Sequence, residues 1–109
     1  MSAAPIDEHA FEQLADATLS RMESTLGDAD DRLEVSLSQG VLTIAFEDKT
    51  RFIVNSHRAA RQIWMAAGAQ AWHFDWDGSE WRSTKTQEEL WTLVGSLTGA
   101  KLGTKLQLS

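Results

Sequence analysis

The sequence predicts an α+β fold: a two-layer α-β sandwich, with N- and C-terminal helices on one face of a six-stranded antiparallel sheet. Three observations carry this. An apolar stripe at helical spacing runs through the first quarter of the chain. Six short runs with period-two alternation follow, split by turn-forming residues. A second helical stripe closes the chain behind a capping sequence.

At 109 residues the expectation is one domain spanning 1–109. A chain of this size buries roughly two thirds of its unfolded surface and needs no disulfide or metal to fold. There are no cysteines. That excludes a disulfide frame, a thiolate metal site and a cysteine nucleophile.

Met1 to Pro5 reads as a loose start, and the first helix spans about Ile6 to Leu26. Phe11, Leu14, Ala15, Thr18, Met22 and Leu26 form its apolar stripe. Gly27 to Asp31 is a polar break. Leu33, Val35 and Leu37 then alternate with Glu34, Ser36 and Ser38, as in a strand with one buried face. Gln39-Gly40 makes a tight turn into a strand from Val41 to Phe46, with Leu42, Ile44 and Phe46 inward. Asp48-Lys49 turns the chain again into Arg51 to Asn55. Ser56 to Arg61 reads as a connection.

Gln62 to Ala66 is the fourth strand, with Ile63 and Met65 facing the core. Ala71 to Trp76 is the fifth, Asp77-Gly78 signals a hairpin, and Glu80 to Thr84 is the sixth. Thr86-Gln87-Glu88-Glu89 reads as a capping box before a helix with Leu90, Leu93, Val94 and Leu97 on one face. Gly99 is expected to end it. The tail, through Leu102, Leu106 and Leu108, is expected to pack back across the helices.

Charge is concentrated at the start. Asp7 to Glu34 holds nine carboxylates against Arg21 and Arg32, a net −7, while the whole chain carries −6, so the rest sums to about +1. At about 100° per residue, Glu8, Glu12, Asp16 and Glu23 share a helix arc about 80° wide. Asp28, Asp30 and Asp31 follow past the expected helix end, and Glu34 opens the next strand. The expected object is a row of carboxylates along a helix edge and onto a sheet edge.

Two readings of that row stay open. Acids in a first turn favour the helix dipole, which covers Asp7 and Glu8, and a charged helix face is often simply solvated. Asp16 and Glu23 lie beyond the first turn. Like charges at i,i+4 cost roughly 0.2–0.5 kcal/mol each, which a stable domain tolerates without any function. The alternative is a surface for cations or a basic partner. Its hard oxygen ligands suit magnesium, calcium, manganese and iron. Asp28-Ala29-Asp30 begins like a calcium loop, but Arg32 and a missing glycine break it. Any metal binding is therefore expected to be weak, multi-site and exposed. His9 beside Glu8 and Glu12 reads more simply as a surface residue than as a ligand.

Trp64 falls on the strand face opposite Ile63 and Met65, with Gln62 and Ala66. Either it is an exposed interface residue or the Ser56–Arg61 connection covers it. Catalysis has little support. No glycine-rich phosphate loop exists, and Ser56-His57 has no third member. His73 and Asp75 share a strand face as a sheet pair would. The net charge of −6 and the absence of a long basic run argue against nucleic acid. The longest nearly apolar stretch, Ile63 to Trp72, is about half a membrane span. No targeting segment is visible, so a cytoplasmic location with no membrane contact is expected.

The helix with its acidic ridge, Gly40 to Glu47, Asn55 to Gln62-Ile63-Trp64-Met65-Ala66, and His73-Phe74-Asp75-Trp76-Asp77-Gly78-Ser79-Glu80-Trp81 together resemble the bacterial frataxin family, the CyaY type. The likeness covers nearly all of the chain. The Asn…Gln-Ile-Trp and His-Phe-Asp…Gly…Glu-Trp blocks are its most specific parts.

The resemblance implies an α–β sandwich, weak binding of ferrous and ferric iron on the ridge, and a role in iron–sulfur cluster assembly through contact with the cysteine desulfurase and its scaffold protein. By position it carries over Glu8, Glu12, Asp16, Glu23, Asp28, Asp30, Asp31 and Glu34 as ridge residues. Asn55, Gln62 and Trp64 are carried over as sheet-face contacts. A non-enzymatic iron regulator or donor, monomeric unless iron assembles it, is the leading expectation. A pure interaction module with incidental metal binding is second, and an enzyme oxidising ferrous iron is weakest. The chain departs from the family pattern in two places. Glu23-Ser24 and Gly27-Asp28 stand where close relatives often carry paired acids, and His57 and Ala59 where the connection usually has glutamine and proline.

Overall fold

The structure is a computed structural model that describes residues 6–106 and residue 108. The loose start expected over Met1–Pro5, and positions 107 and 109 of the tail, lie outside the described residues.

Helix α1 runs Glu8–Ala29. Asp7 caps it, its carboxylate accepting from the Ala10 N–H at 2.8 Å. Strands β1 (Glu34–Ser38), β2 (Val41–Ala45), β3 (Arg51–His57), β4 (Gln62–Ala67), β5 (Gln70–Trp76) and β6 (Trp81–Ser83) follow, then α2 (Leu90–Leu102). Each strand pairs antiparallel with the next, giving a six-stranded meander in sequence order. This is the predicted architecture. Tight turns explain it, since they let antiparallel neighbours pair without crossovers. At Gln39-Gly40 both residues have positive φ, 51° and 78°, the geometry a two-residue hairpin turn requires. Gly40 is also fixed by close approach: a Cβ there would stand 2.6 Å from Ser56 Oγ.

One sheet face and both helices share the core. Phe11, Ala15, Leu19, Met22 and Leu26 come from α1. Leu42, Ile44, Phe52, Val54, Ile63, Met65, Phe74 and Trp81 come from the sheet, and Leu90, Leu93 and Val94 from α2. Leu19 lies outside the expected stripe yet is fully buried, while Leu14 and Thr18 sit at its rim. The buried arc of α1 is thus rotated slightly from the sequence reading. At the rim, Thr18 Oγ1 accepts from the Trp81 indole at 3.2 Å.

Several boundaries differ from expectation. The first helix does not stop at Gly27 but continues to Ala29, with Asp30 as its C-cap. Glycine in a helix costs about 1 kcal/mol relative to alanine, and the burial of Met22 and Leu26 in the last turns outweighs it. Strand β3 extends through His57, because the Ser56 and His57 backbones still pair with Ile63 and Gln62. The connection is therefore only residues 58–61.

The capping box at Thr86 does not form. Gln87 adopts φ 65°, which breaks the helical turn. Glu89 is the cap instead, accepting from the Trp91 and Thr92 N–H groups at 2.8 and 3.1 Å. Helix α2 passes through Gly99 and ends at Leu102, closed by left-handed Gly103 at φ 75°. Gly99 has a different reason to be glycine: a Cβ would meet the Thr104 carbonyl at 2.6 Å, where the tail turns back along the helix. Leu106 and Leu108 then pack beside Gly95 and Gly99, as expected of the tail.

Candidate functional site

Glu8, Glu12, Asp16 and Glu23 lie along one flank of α1 because the adjoining arc is taken by the core. Glu8 and Asp16 are exposed, and Glu12 and Glu23 half-buried. Asp28 is helical, and at about 100° per residue it falls about 200° round from Glu8, on the far side of the helix. The row on α1 therefore has four members, and Asp28 is not in line with them.

The remaining acids sit past the helix. Asp30 is held by its neighbour Arg32, with Nε at 3.0 Å from Oδ1 and Nη2 at 2.8 Å from Oδ2. These side-chain bonds, with the Arg32 backbone N–H, lower the Asp30 carboxyl from the ordinary 3.8 to about 2. The same contact raises Arg32. Asp31 and Glu34 are exposed. They line a shallow depression with Glu47, where Arg32, Lys49 and Arg51 supply the opposite charge.

Three of the eight predicted ridge residues are thus matched by the chain's own arginines. Asp30 takes Arg32. Glu12 takes Arg58 at 3.0 Å, with Glu8 at 3.8 Å from the same Nη1. Asp16, Glu23, Asp28, Asp31 and Glu34 carry no ion pair among the described residues. Nor do three or more His, Asp or Glu side chains converge as a metal-holding group among the described residues. Spacing gives the reason. Residues at i,i+4 are neighbours, so Glu8/Glu12 and Glu12/Asp16 can each share one cation. Asp16 and Glu23 are separated by about 10 Å of helix axis and cannot. The row is a line of separate carboxylates and pairs.

The three predicted sheet-face residues come together on the face opposite the helices. Asn55 on β3 stands directly across from Trp64 on β4. Trp64 Nε1 donates to Gln62 Oε1 at 2.8 Å, and Gln62 Nε2 donates to Asp75 Oδ1 at 3.0 Å. Of the two expectations for Trp64, cover by the Ser56–Arg61 stretch is borne out in part, through His57, although His57 is a β3 residue and not part of a loop. The indole is half-buried, and what covers it is a pair of imidazoles. His57 stacks on it with ring centroids 3.9 Å apart, and His73 at 4.3 Å, both within 12° of parallel.

His57, His73, Asp75 and Arg58 are site residues that the sequence reading did not assign. A signal for His73 was present. A two-residue turn at Gly68-Ala69 sets Trp64 opposite His73, as observed. The reading of His73 and Asp75 as a mutual pair is not what forms: His73 stacks on Trp64 while Asp75 accepts from Gln62. No helix among the described residues is long and apolar enough to cross a membrane.

A family model described as the frataxin-like domain matches residues 4–104. A relative named iron–sulfur cluster assembly protein CyaY, from Dechloromonas aromatica, is 38% identical over 104 residues, covering 94% of this chain and 99% of the relative. A protein of the same name from Pseudomonas fluorescens is 31% identical over 102 residues, covering 92% and 93%. Among solved structures, frataxin from Psychromonas ingrahamii superposes with a TM-score of 0.89 at 20% identity, covering 95% of this chain and 99% of that one. Trimeric yeast frataxin complexed with ferrous superposes at 0.68 and 21% identity, covering 94% and 91%. At those identities the structural likeness speaks to fold. With the family match spanning nearly the whole sequence and curated relatives above 30% identity, the chain belongs to the frataxin-like family.

Proposed function

We propose that this protein acts in iron–sulfur cluster assembly as a non-catalytic regulator or iron donor, in the cytoplasm. In this reading the acidic row receives ferrous or ferric iron as cargo and docks on a basic surface of the cysteine desulfurase. Asn55, Gln62 and Trp64 form the sheet-face contact with that enzyme or its scaffold protein. The observation that carries the reading is the row Glu8, Glu12, Asp16 and Glu23 on one flank of α1, in a chain whose curated relatives are named for cluster assembly. A cation between paired carboxylates relieves their mutual repulsion, and a field of one sign speeds the arrival of a basic partner.

Residue fit sets the character of the iron binding. The oxygens are hard donors suited to iron and to other divalent cations, and Glu8/Glu12 and Glu12/Asp16 are the pairs able to share an ion. Iron held by two carboxylates at an exposed site exchanges readily, as cargo must.

A second reading, an acidic interaction module with no physiological metal role, is favoured by one contact. The group found against Glu12 is a guanidinium, that of Arg58, and a partner arginine would meet the same carboxylate. Anaerobic titration with ferrous iron, followed by NMR, separates the two. Iron binding broadens the Glu12 and Asp16 resonances first. Unbroadened α1 resonances leave the interaction module as the reading.

A further inference from the structure

We infer that Arg58 is a built-in competitor for the Glu8–Glu12 end of the acidic row, and that its release uncovers Trp64 through His57. The inference rests on the row being a cation-receiving surface, as proposed above.

The geometry is that of one short turn holding two surfaces at once. Strand β3 ends at His57 and β4 begins at Gln62, and these two residues are cross-strand partners. Only residues 58–61 join them. The Arg61 N–H donates to the Arg58 carbonyl at 3.1 Å, and Arg61 sits at φ 52°. The Ala60 N–H donates to His57 Nδ1 at 3.3 Å. The His57 ring and the Arg58 backbone therefore belong to one closed hydrogen-bonded unit.

The two neighbouring side chains reach opposite sides of the sandwich. His57 lies on the open sheet face, 3.9 Å from the Trp64 ring. Arg58 reaches α1, at 3.0 Å from Glu12 and 3.8 Å from Glu8. The α1 anchor steadies the turn, and the Ala60 N–H of the turn steadies the ring of His57 on the indole, while the His57 backbone stays in the ladder with Gln62. Trp64 has His73 on its other face and Gln62 at its nitrogen, so His57 is the cover that moves with the turn.

A cation or a partner's basic side chain arriving at Glu12 meets Arg58 already there. It must displace the guanidinium, and the turn then loses its hold on α1. The Ala60 N–H then releases the His57 ring, which swings from the indole about its fixed backbone, and one face of Trp64 opens. Occupancy of the row thereby favours docking at the sheet face, and by linkage docking at Trp64 favours occupancy of the row. Arg58 also sets selectivity along the row. The Glu8–Glu12 end is contested, whereas Asp16 and Glu23 have no internal competitor among the described residues. Exposed ion pairs of this kind are weak, and the Arg58 side chain is 65% exposed. Competition is therefore worth about two- to fivefold in affinity, enough to bias binding without blocking it.

The test uses Arg58→Gln and Arg58→Lys in the full chain, read by NMR. Without ligand, R58Q is expected to shift the Trp64 indole Nε1–H and the His57 ring resonances, while R58K stays near wild type. Hexaamminecobalt(III), a compact diamagnetic trication, then serves as the probe of the row. It is expected to bind R58Q about two- to fivefold more tightly and to move the wild-type Trp64 signal toward its R58Q position. Identical ligand-free Trp64 and His57 signals in R58Q and wild type overturn the coupling. Equal probe affinity overturns the competition. If the probe shifts no α1 amide in either protein, the row reading itself fails and the competitor role falls with it, while the ligand-free comparison still decides the coupling.

Discussion

The Trp64 indole donates to the side-chain carbonyl of Gln62 at 2.8 Å, two residues away on the same face of β4. Gln62 passes the connection on to Asp75 of β5 at 3.0 Å. Two residues that the family resemblance implies as partner contacts are thus bonded to each other, and the pair is one preorganised unit. Rigid aromatic groups with a fixed polar tip make effective interface anchors.

Gln62→Ala removes the acceptor of the indole N–H. Because Trp64 is half-buried, water can reach that group, so the expected loss is about 0.5–1.5 kcal/mol by urea denaturation. The Trp64 Nε1–H should also exchange faster with solvent. Unchanged exchange would show that the bond does not hold the indole in solution.

Two glycines should respond in opposite directions to alanine. Gly27 is helical, with nothing within 4 Å of the Cβ that an alanine would carry, so Gly27→Ala should stabilise by about 0.4–1 kcal/mol. Gly99 would place its Cβ 2.6 Å from the Thr104 backbone carbonyl. Backbone cannot give way cheaply, so Gly99→Ala should destabilise by about 1–3 kcal/mol. Thermal unfolding of both variants checks this, and two shifts of the same sign would contradict the packing described.

Asp30 should titrate apart from the open ridge acids. Its folded-state value is depressed to about 2 from 3.8, so the ionised form favours the folded state. That contribution is complete above about pH 4 and is lost as the pH falls through about 2. Arg32→Gln should return the Asp30 carboxyl toward the ordinary carboxylate range in a carbon-13 NMR titration. A midpoint that stays low in that variant would assign the shift to another cause.

Leu19 shows how the buried stripe can be located by experiment. It is fully buried at the centre of the α1 face, so Leu19→Ala should cost about 2–5 kcal/mol. Leu14, at the rim and half-buried, should cost less on the same change. Equal losses would place the helix in a different rotation.

The strand order and both helices were legible in the sequence because alternation and tight turns are local signals. Leu42, Ile44, Ile63 and Met65 are inward as read. What was not legible depends on tertiary context. Gly27 and Gly99 look like helix ends, yet one is carried by packing and the other is a close-approach site inside α2. Thr86 looks like a cap, and the left-handed Gln87 defeats it. On the site, the α1 row follows from spacing alone. Its partial neutralisation by Arg58 does not, because Arg58 approaches from a turn far along the chain. Cover of Trp64 by the Ser56–Arg61 stretch was one of two open readings, but that it comes from a strand residue, His57, was not legible, because Ser56-His57 has no apolar alternation to mark it as strand.

The most direct test of the central claim is the affinity of the cysteine desulfurase for this protein as a function of ionic strength, in wild type and in the Glu12→Gln, Asp16→Asn, Glu23→Gln triple variant. The account predicts wild-type affinity that falls steeply with salt, and a triple variant that binds weakly with little salt dependence. Equal affinity and equal salt dependence in the two proteins would contradict it.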